Sequence, residues 1–192
     1  MFDWLKQRAR QRLLSTPFPD AWSGILNRNV KHYSLLTQAE QAKLRDDLRV
    51  LIAETNWEGC GGLAINDEVQ VTIAAQASLL LLGFQDQYFD MVESILVYPN
   101  AFVAPDHTEI GEGLELVGES SNEGEAWYRG PVVLSWPDAL AGGRGESGGR
   151  NLVVHEFAHQ LDMENGDVND GTPSLAGRGS ATSGPILRRW AH

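Results

Sequence analysis

Apolar residues in the first half of the chain recur at helical spacing, interrupted by proline and glycine. Residues 2–14 place apolar side chains three or four positions apart with basic residues between them, which predicts a short amphipathic helix ending before Pro17. Its apolar positions are Phe2, Leu5, Ala9 and Leu13. The basic face is more typical of a solvated surface than of a membrane-binding one. Pro17, Pro19 and Gly24 then predict an irregular connector.

Two longer helices are predicted next. Thr37 and Glu40 form a capping-box pattern, so a helix is expected to begin there and to continue to about Glu54. A cluster of glycines then breaks the pattern, and the apolar residues 63–65 predict a short strand. Asn66 and Asp67 are the expected caps of the second helix, and Gly83 is expected to end it.

After residue 94 the pattern changes to short apolar or β-branched runs divided by Gly, Pro, Asn and Asp, which is typical of strands. The predicted strands cover residues 95–98, 102–104, 114–117, 126–129 and 132–136. Residues 142–149 are rich in glycine without a phosphate-loop pattern, and they predict a flexible turn. Asn151 is predicted to cap a last helix from Leu152 to about Met163, closed by Gly166. Helices, then strands, then a helix predict an α+β fold.

The amino-acid composition limits the expected cellular location of the protein and the classes of partner it can bind. With 192 residues, 42% of them hydrophobic, the chain can bury one substantial core. Its formal net charge of −11 repels phosphate backbones and anionic lipid, so neither nucleic acid nor a membrane is an expected partner. Cys60 is the only cysteine, which fits a reducing compartment. Without a signal-peptide core or a stretch that could span a bilayer, the expected location is the cytoplasm.

The segment from His155 to His159 reads His-Glu-Phe-Ala-His and is the strongest chemical signal in the chain. Residues four apart on a helix share one face, so the two imidazoles can bind one cation, for which zinc is the usual ion. Glu156 can then accept a proton from a metal-activated water without being a ligand. The sequence predicts His155 and His159 as zinc ligands and Glu156 as the catalytic base.

Two non-catalytic interpretations of the histidines are alternatives to a catalytic site. The histidines could be a core pair satisfied by backbone or carboxylate partners, or they could bind a structural zinc, although such sites favour cysteine. Catalytic zinc also needs a third protein ligand. The metzincin extension would place glycine and histidine where Asp162 and Asn165 stand, and beyond Glu164 the only acidic residues are Asp167 and Asp170.

The third ligand is therefore expected in a segment beyond residue 192. Asp162 is interpreted as an acceptor for a histidine N–H rather than as a ligand.

Two runs of residues resemble a known family. Residues 130–136 read Gly-Pro-Val-Val-Leu-Ser-Trp, and residues 148–163 contain His-Glu-Phe-Ala-His-Gln-Leu-Asp. With Trp22, Leu26 and the capped helix after Thr37, they resemble the Mlc titration factor A family of bacterial zinc peptidases over most of the chain.

The resemblance implies a zincin-like, gluzincin-type domain, similar to the catalytic part of anthrax lethal factor, with N-terminal helices, a small mixed sheet and the active-site helix. It implies a cytoplasmic, aminopeptidase-like zinc peptidase that binds a transcriptional repressor of glucose-uptake genes. By matching positions, His155 and His159 become zinc ligands, Glu156 the base, and a glutamate on a later helix the third ligand. Residues 1–20 would form an N-terminal helix and connector, and residues 21–192 the peptidase domain without its C-terminal part.

Two further alternatives concern the substrate and the function. Zinc peptidases commonly hold peptide by backbone pairing at a sheet edge, for which residues 132–136 are the candidate, with an ordinary core strand as the alternative. The alternative function is a regulatory protein that sequesters a repressor and has little or no peptidase activity.

Overall fold

A computed structural model describes residues 2–84, 87–100 and 131–164. The elements, in chain order, are α1 (Phe2–Ser15), α2 (Asp20–Asn29), α3 (Gln38–Glu54), β1 (Asn56–Gly59), α4 (Asp67–Ser78), β2 (Ser94–Tyr98), β3 (Val132–Ser135), α5 (Trp136–Arg144) and α6 (Leu152–Glu164). Short 3-10 helices occupy Lys31–Leu35 and Leu79–Leu81. This mixture of helices and a small sheet confirms the α+β prediction. Within the described ranges, every helix is too short or too polar to cross a lipid bilayer.

Local hydrogen bonds start two of the long helices where the sequence predicts. The Thr37 hydroxyl accepts from the backbone N–H of Glu40 at 3.3 Å, and the Glu40 carboxylate accepts from the Thr37 N–H at 2.8 Å. The Asn66 side chain likewise accepts from the Val69 N–H at 3.0 Å. Each bond satisfies an N–H that has no partner within its helix, so these caps fix where α3 and α4 begin.

The three described strands form one parallel sheet in the order β1-β2-β3. The register pairs Trp57 with Ile95 and Val97 with Leu134. Ile95, Val97 and Leu134 are fully buried, so one face of the sheet contributes to the core. A parallel neighbour requires a crossover connection, and α4 supplies it between β1 and β2.

Helix α4 lies at the centre of the molecule. It contacts α2, α3, α5 and α6, and its residues from Val71 to Ser78 are all buried. Because residues 71–78 are covered on every side, this part of the helix has no solvent-facing polar side, which explains why it lacks an amphipathic period. The polar residues that α4 does contain must find partners inside the protein.

The irregular connector that proline and glycine predict is confirmed at residues 17–19 but is wrong for residues 20–24, which belong to α2. Pro19 lies just outside α2 in an extended conformation, and Gly24 lies within the helix. An internal glycine costs about 1 kcal/mol relative to alanine. Burial of Ile25 and Leu26 against the core contributes about 1.5–3 kcal/mol for each side chain, so tertiary packing outweighs the local preference.

The strand predicted at residues 63–65 is also wrong, because the pairing segment is Asn56–Gly59 instead. Pairing continues just past β1, where the Cys60 N–H donates to the Val97 carbonyl oxygen at 2.8 Å. The chain then folds back so tightly that a Cβ at Gly59 would lie 1.9 Å from the Leu63 carbonyl oxygen. Gly59 therefore serves a close backbone approach rather than breaking a helix.

The structure corrects two more boundaries near the C-terminal end of the sheet. The strand predicted at 132–136 ends at Ser135, and Trp136 begins α5. Gly142 and Gly143, predicted in a flexible turn, belong to α5, which ends at Arg144 and is capped by Gly145 with a left-handed φ of 72°. The predicted strands at 102–104, 114–117 and 126–129, and the closing Gly166, lie outside the described residues.

Candidate metal centre

Helix α6 carries the histidine pair and begins at the predicted cap. The Asn151 side chain accepts from the Val154 N–H at 3.0 Å, and the Asn151 carbonyl oxygen accepts from the His155 N–H at 3.0 Å. His155 therefore lies in the first turn of α6, and His159 lies about one turn later.

The two faces of α6 have opposite environments. Val153, Phe157 and Leu161 are buried, and the Phe157 ring packs edge-on against Phe89 with ring centroids 4.7 Å apart. His155 and His159 are exposed. The interpretation as a core histidine pair is therefore wrong, because the rings face away from the core.

The distance between the imidazoles suits a shared metal ion. The Nε2 atoms of His155 and His159 are 3.2 Å apart, and the rings are inclined at 85°. Two nitrogen ligands of a tetrahedral zinc, each at about 2.0–2.1 Å, are separated by about 3.3–3.4 Å. The pair thus fits two corners of a zinc tetrahedron and leaves the solvent side for other ligands.

Glu156 is half-buried and directly follows His155 on α6. It lies neither on the fully exposed histidine face nor among the buried apolar residues. The role of Glu156 as a base acting on water stays a prediction.

The structure does not complete the ligand set within the part of the chain that it describes. No cluster of three or more His, Cys, Asp or Glu that could hold a metal occurs there. Asp162 is half-buried, and its Oδ1 atom is buried without a hydrogen-bond partner among those residues. The predicted bond from a histidine N–H to Asp162 is thus not found, and Asn165, Asp167 and Asp170 lie outside the described residues.

Sequence reasoning missed one neighbour of the metal helix. Phe89, on the segment between α4 and β2, packs against the Phe157 ring of α6. An isolated aromatic residue in a connecting segment gives no periodic signal, so only the tertiary structure reveals this contact.

The sequence of the chain is similar to those of known proteins. The family model of the glucose-regulated metallo-peptidase M90 matches residues 4–184. An uncharacterized protein of Synechocystis sp. is 33% identical over 176 residues, which are 91% of this chain and 63% of that protein. The Mlc titration factor A proteins of Yersinia pestis and Yersinia pseudotuberculosis are each 30% identical over 150 residues, which are 78% of this chain and 55% of theirs. The chain thus spans between 55% and 63% of the length of these relatives.

Proposed function

Because the chain belongs to the glucose-regulated metallo-peptidase M90 family, we propose that it is part of a zinc-dependent, aminopeptidase-like peptidase with a zincin-like, gluzincin-type domain. The observation that carries the proposal is the exposed pair of Nε2 atoms, 3.2 Å apart, on a helix whose next residue after His155 is Glu156. The single cysteine supports a reducing compartment, and we propose the cytoplasm.

Each residue of the motif has a distinct part in the proposed reaction. His155 and His159 hold the ion through their Nε2 atoms. Bound zinc supplies a Lewis acid that acidifies water and polarises a peptide carbonyl. The Glu156 carboxylate accepts the proton of the attacking water and then donates it to the leaving amine. The third ligand of the proposal is a glutamate on a later helix, beyond residue 192.

Strand β3 is the proposed platform for the substrate. It stands at one end of the described strand order and contacts α6. An extended peptide that adds to this edge would bring its backbone past the histidine pair, in the manner of β-strand addition. The burial of Val132 and Leu134 shows that β3 also contributes to the core.

A second candidate function comes from the names of the relatives. Two of them are called Mlc titration factor A, which indicates capture of the Mlc repressor by those proteins. We propose that this chain, too, belongs to a protein that binds a transcriptional repressor and so regulates glucose uptake. Peptide hydrolysis and repressor capture can occur in one protein if they use different surfaces.

One substitution in the intact protein tests both functions. Glu156→Gln removes the proton acceptor and leaves both imidazoles, so peptide hydrolysis should fall at least about 100-fold while zinc content is unchanged. Capture of the repressor, measured in a pull-down assay, should stay at the wild-type level. Retained hydrolysis would refute the role of Glu156 as base. Loss of capture together with hydrolysis would contradict separate surfaces.

A further inference from the structure

The central helix α4 contains a fully buried amide, Gln76, whose hydrogen bonds leave it one orientation. Its Nε2 atom donates to the carbonyl oxygens of Thr72 at 2.9 Å and Ala139 at 3.0 Å. Its Oε1 atom accepts from the Asn151 Nδ2 at 2.9 Å. Because both N–H groups point at carbonyl oxygens, the amide cannot flip, and Oε1 must face Asn151.

Asn151 is the partner at the other end of this bond, and it is also the cap of the metal helix. Its Nδ2 donates to Gln76, while its Oδ1 accepts from the Val154 N–H at 3.0 Å. Its backbone oxygen accepts from the His155 N–H at 3.0 Å. A single side chain thus connects the centre of the core to the first turn of α6.

Two glycines of α5 make room for this connection. A Cβ at Gly143 would lie 2.3 Å from the Asn29 carbonyl oxygen and 2.9 Å from the Gln76 Nε2 atom, and a Cβ at Gly142 would lie 3.3 Å from the Asn151 side chain. Larger residues would push α5 outward and would move the Ala139 carbonyl oxygen away from Gln76. Gly142 and Gly143 therefore allow close packing of α5 against Asn29, Gln76 and Asn151.

The first turn of a helix is where fraying is greatest, and His155 lies in that turn. A helix that began one residue later would lose the backbone bond of His155, and the ring would no longer be held over His159. The separation of 3.2 Å between the two Nε2 atoms depends on this turn staying formed.

We propose that Gln76 is a positioning residue for the histidine pair, His155 and His159. By holding Asn151 in one orientation, it keeps the first turn of α6 closed and the His155 ring in register with His159. The proposal rests on the proposed function, because it takes zinc to be the ion that the histidines bind. The order of the first turn, however, is a property of the metal-free protein. Gln76 acts through Asn151 and does not touch the metal or the substrate.

Three variants of the intact protein test the link. Gln76→Met has a similar length without hydrogen-bonding atoms, and Asn151→Ser keeps a good cap oxygen but removes the donor to Gln76. The third variant combines the two changes. Ser78→Ala is the matched control, because Ser78 is a buried polar residue of the same helix whose hydroxyl donates to the Ala74 carbonyl oxygen within α4.

Two measurements are compared across these variants. The first is amide hydrogen exchange at Val154 and His155 in the metal-free protein, and the second is affinity for Zn²⁺ added alone. We expect Gln76→Met and Asn151→Ser each to speed exchange at both amides and to weaken zinc binding about 10-fold, as for other residues that orient metal ligands. The double variant should bind zinc no more weakly than whichever single variant binds it more weakly. Ser78→Ala should leave both quantities unchanged.

Two results would overturn the proposal. One is wild-type exchange at Val154 and His155 in Gln76→Met. The other is a double variant whose effects multiply, since Gln76 would then act by a route that avoids Asn151. If Gln76→Met does not fold, Asn151→Ser alone decides, because wild-type exchange in that variant contradicts the link. If the wild-type protein binds no zinc, the proposed function fails, and the exchange data still decide the positioning role.

Discussion

Helices α1 and α6 each pack against the molecule with one face, but different forces hold them. In α1, Arg10 forms two hydrogen bonds with Glu54, at 2.7 and 2.6 Å, and Lys6 pairs with Asp90 at 2.7 Å. In α6, the contact face is apolar and includes the buried Phe157. Charges at a surface tolerate movement and are weakened by salt, whereas an interdigitated apolar face fixes the rotation of a helix.

The comparison shows why α6 is suited to carry the histidine pair. The direction of two imidazoles depends on helix rotation, and the buried face of α6 sets that rotation without using any ionic group. Helix α1 carries no such requirement. The two regions meet at one short segment, where Asp90 pairs with α1 and the adjacent Phe89 packs on Phe157.

The largest effect is expected on the apolar side of the comparison. Phe157→Ala should lower the free energy of unfolding by about 3–5 kcal/mol, because it leaves a cavity beside Phe89 and removes an edge-on ring contact. Phe157→Leu retains most of the volume and should cost less than about 1.5 kcal/mol. Urea denaturation of both variants measures the difference. A loss below about 1 kcal/mol in Phe157→Ala would contradict fixation of α6 by its buried face.

The sequence predicted the helix of the histidine pair and the helix caps better than it predicted the sheet, for a physical reason. The spacing of His155 and His159 and the caps at Thr37, Asn66 and Asn151 are local relations that a helix enforces by itself. Strand β1 reads Asn-Trp-Glu-Gly and has no apolar alternation, so its place in the sheet depends on pairing with β2, which is distant in sequence.

Helix α5 was missed for a related reason. Its glycines look like a flexible turn in the sequence, but in the structure Asn29, Gln76 and Asn151, from other parts of the chain, approach them closely. The third ligand of the proposed zinc site would likewise come from a distant part of the chain, because the motif contains only the two histidines that share one helix.

A middle-sized effect is expected at Asp47, a buried carboxyl of α3 that faces Tyr88 and Phe89 across a small cavity. Burial raises its pKa from 3.8 to about 6, against the opposing hydrogen bond from Lys43 at 2.7 Å. The folded protein therefore holds this proton more tightly than the unfolded chain does. The contribution of Asp47 to stability is present below about pH 4 and is lost as the pH rises through about 6.

Asp47→Asn should accordingly be more stable than the wild-type protein by about 1–3 kcal/mol at pH 8, with little difference at pH 3.5. The measurement is the free energy of unfolding at each pH. Asp46→Asn is the control, since the neighbouring Asp46 is exposed, and it should show no such pH-dependent gain. A variant less stable than the wild-type protein at pH 8 would mean that the ion pair with Lys43 outweighs the cost of burial.

The smallest effect is expected on the ionic side. Arg10→Ala removes the pairs with Glu54 and Asp90 and the contact of the guanidinium with the Tyr88 ring at 4.0 Å, so it should cost about 1 kcal/mol at low salt. For a chain of this size that loss lowers the melting temperature by about 2–4 °C. The difference from the wild-type protein should shrink in about 1 M salt, because Glu54 and Asp90 are partly exposed to solvent and the screening length falls from about 10 Å at about 0.1 M to about 3 Å.

Arg12→Ala is the matched control for this last comparison, because Arg12 lies on the same helix, is exposed and forms no ion pair with another described residue. It should change the melting temperature by less than about 1 °C at either salt concentration. Equal losses in the two variants would indicate that helix propensity, rather than the ionic cluster, accounts for the effect. A loss in Arg10→Ala that persists in high salt would indicate that α1 is held mainly by the packing of its side chains, as α6 is.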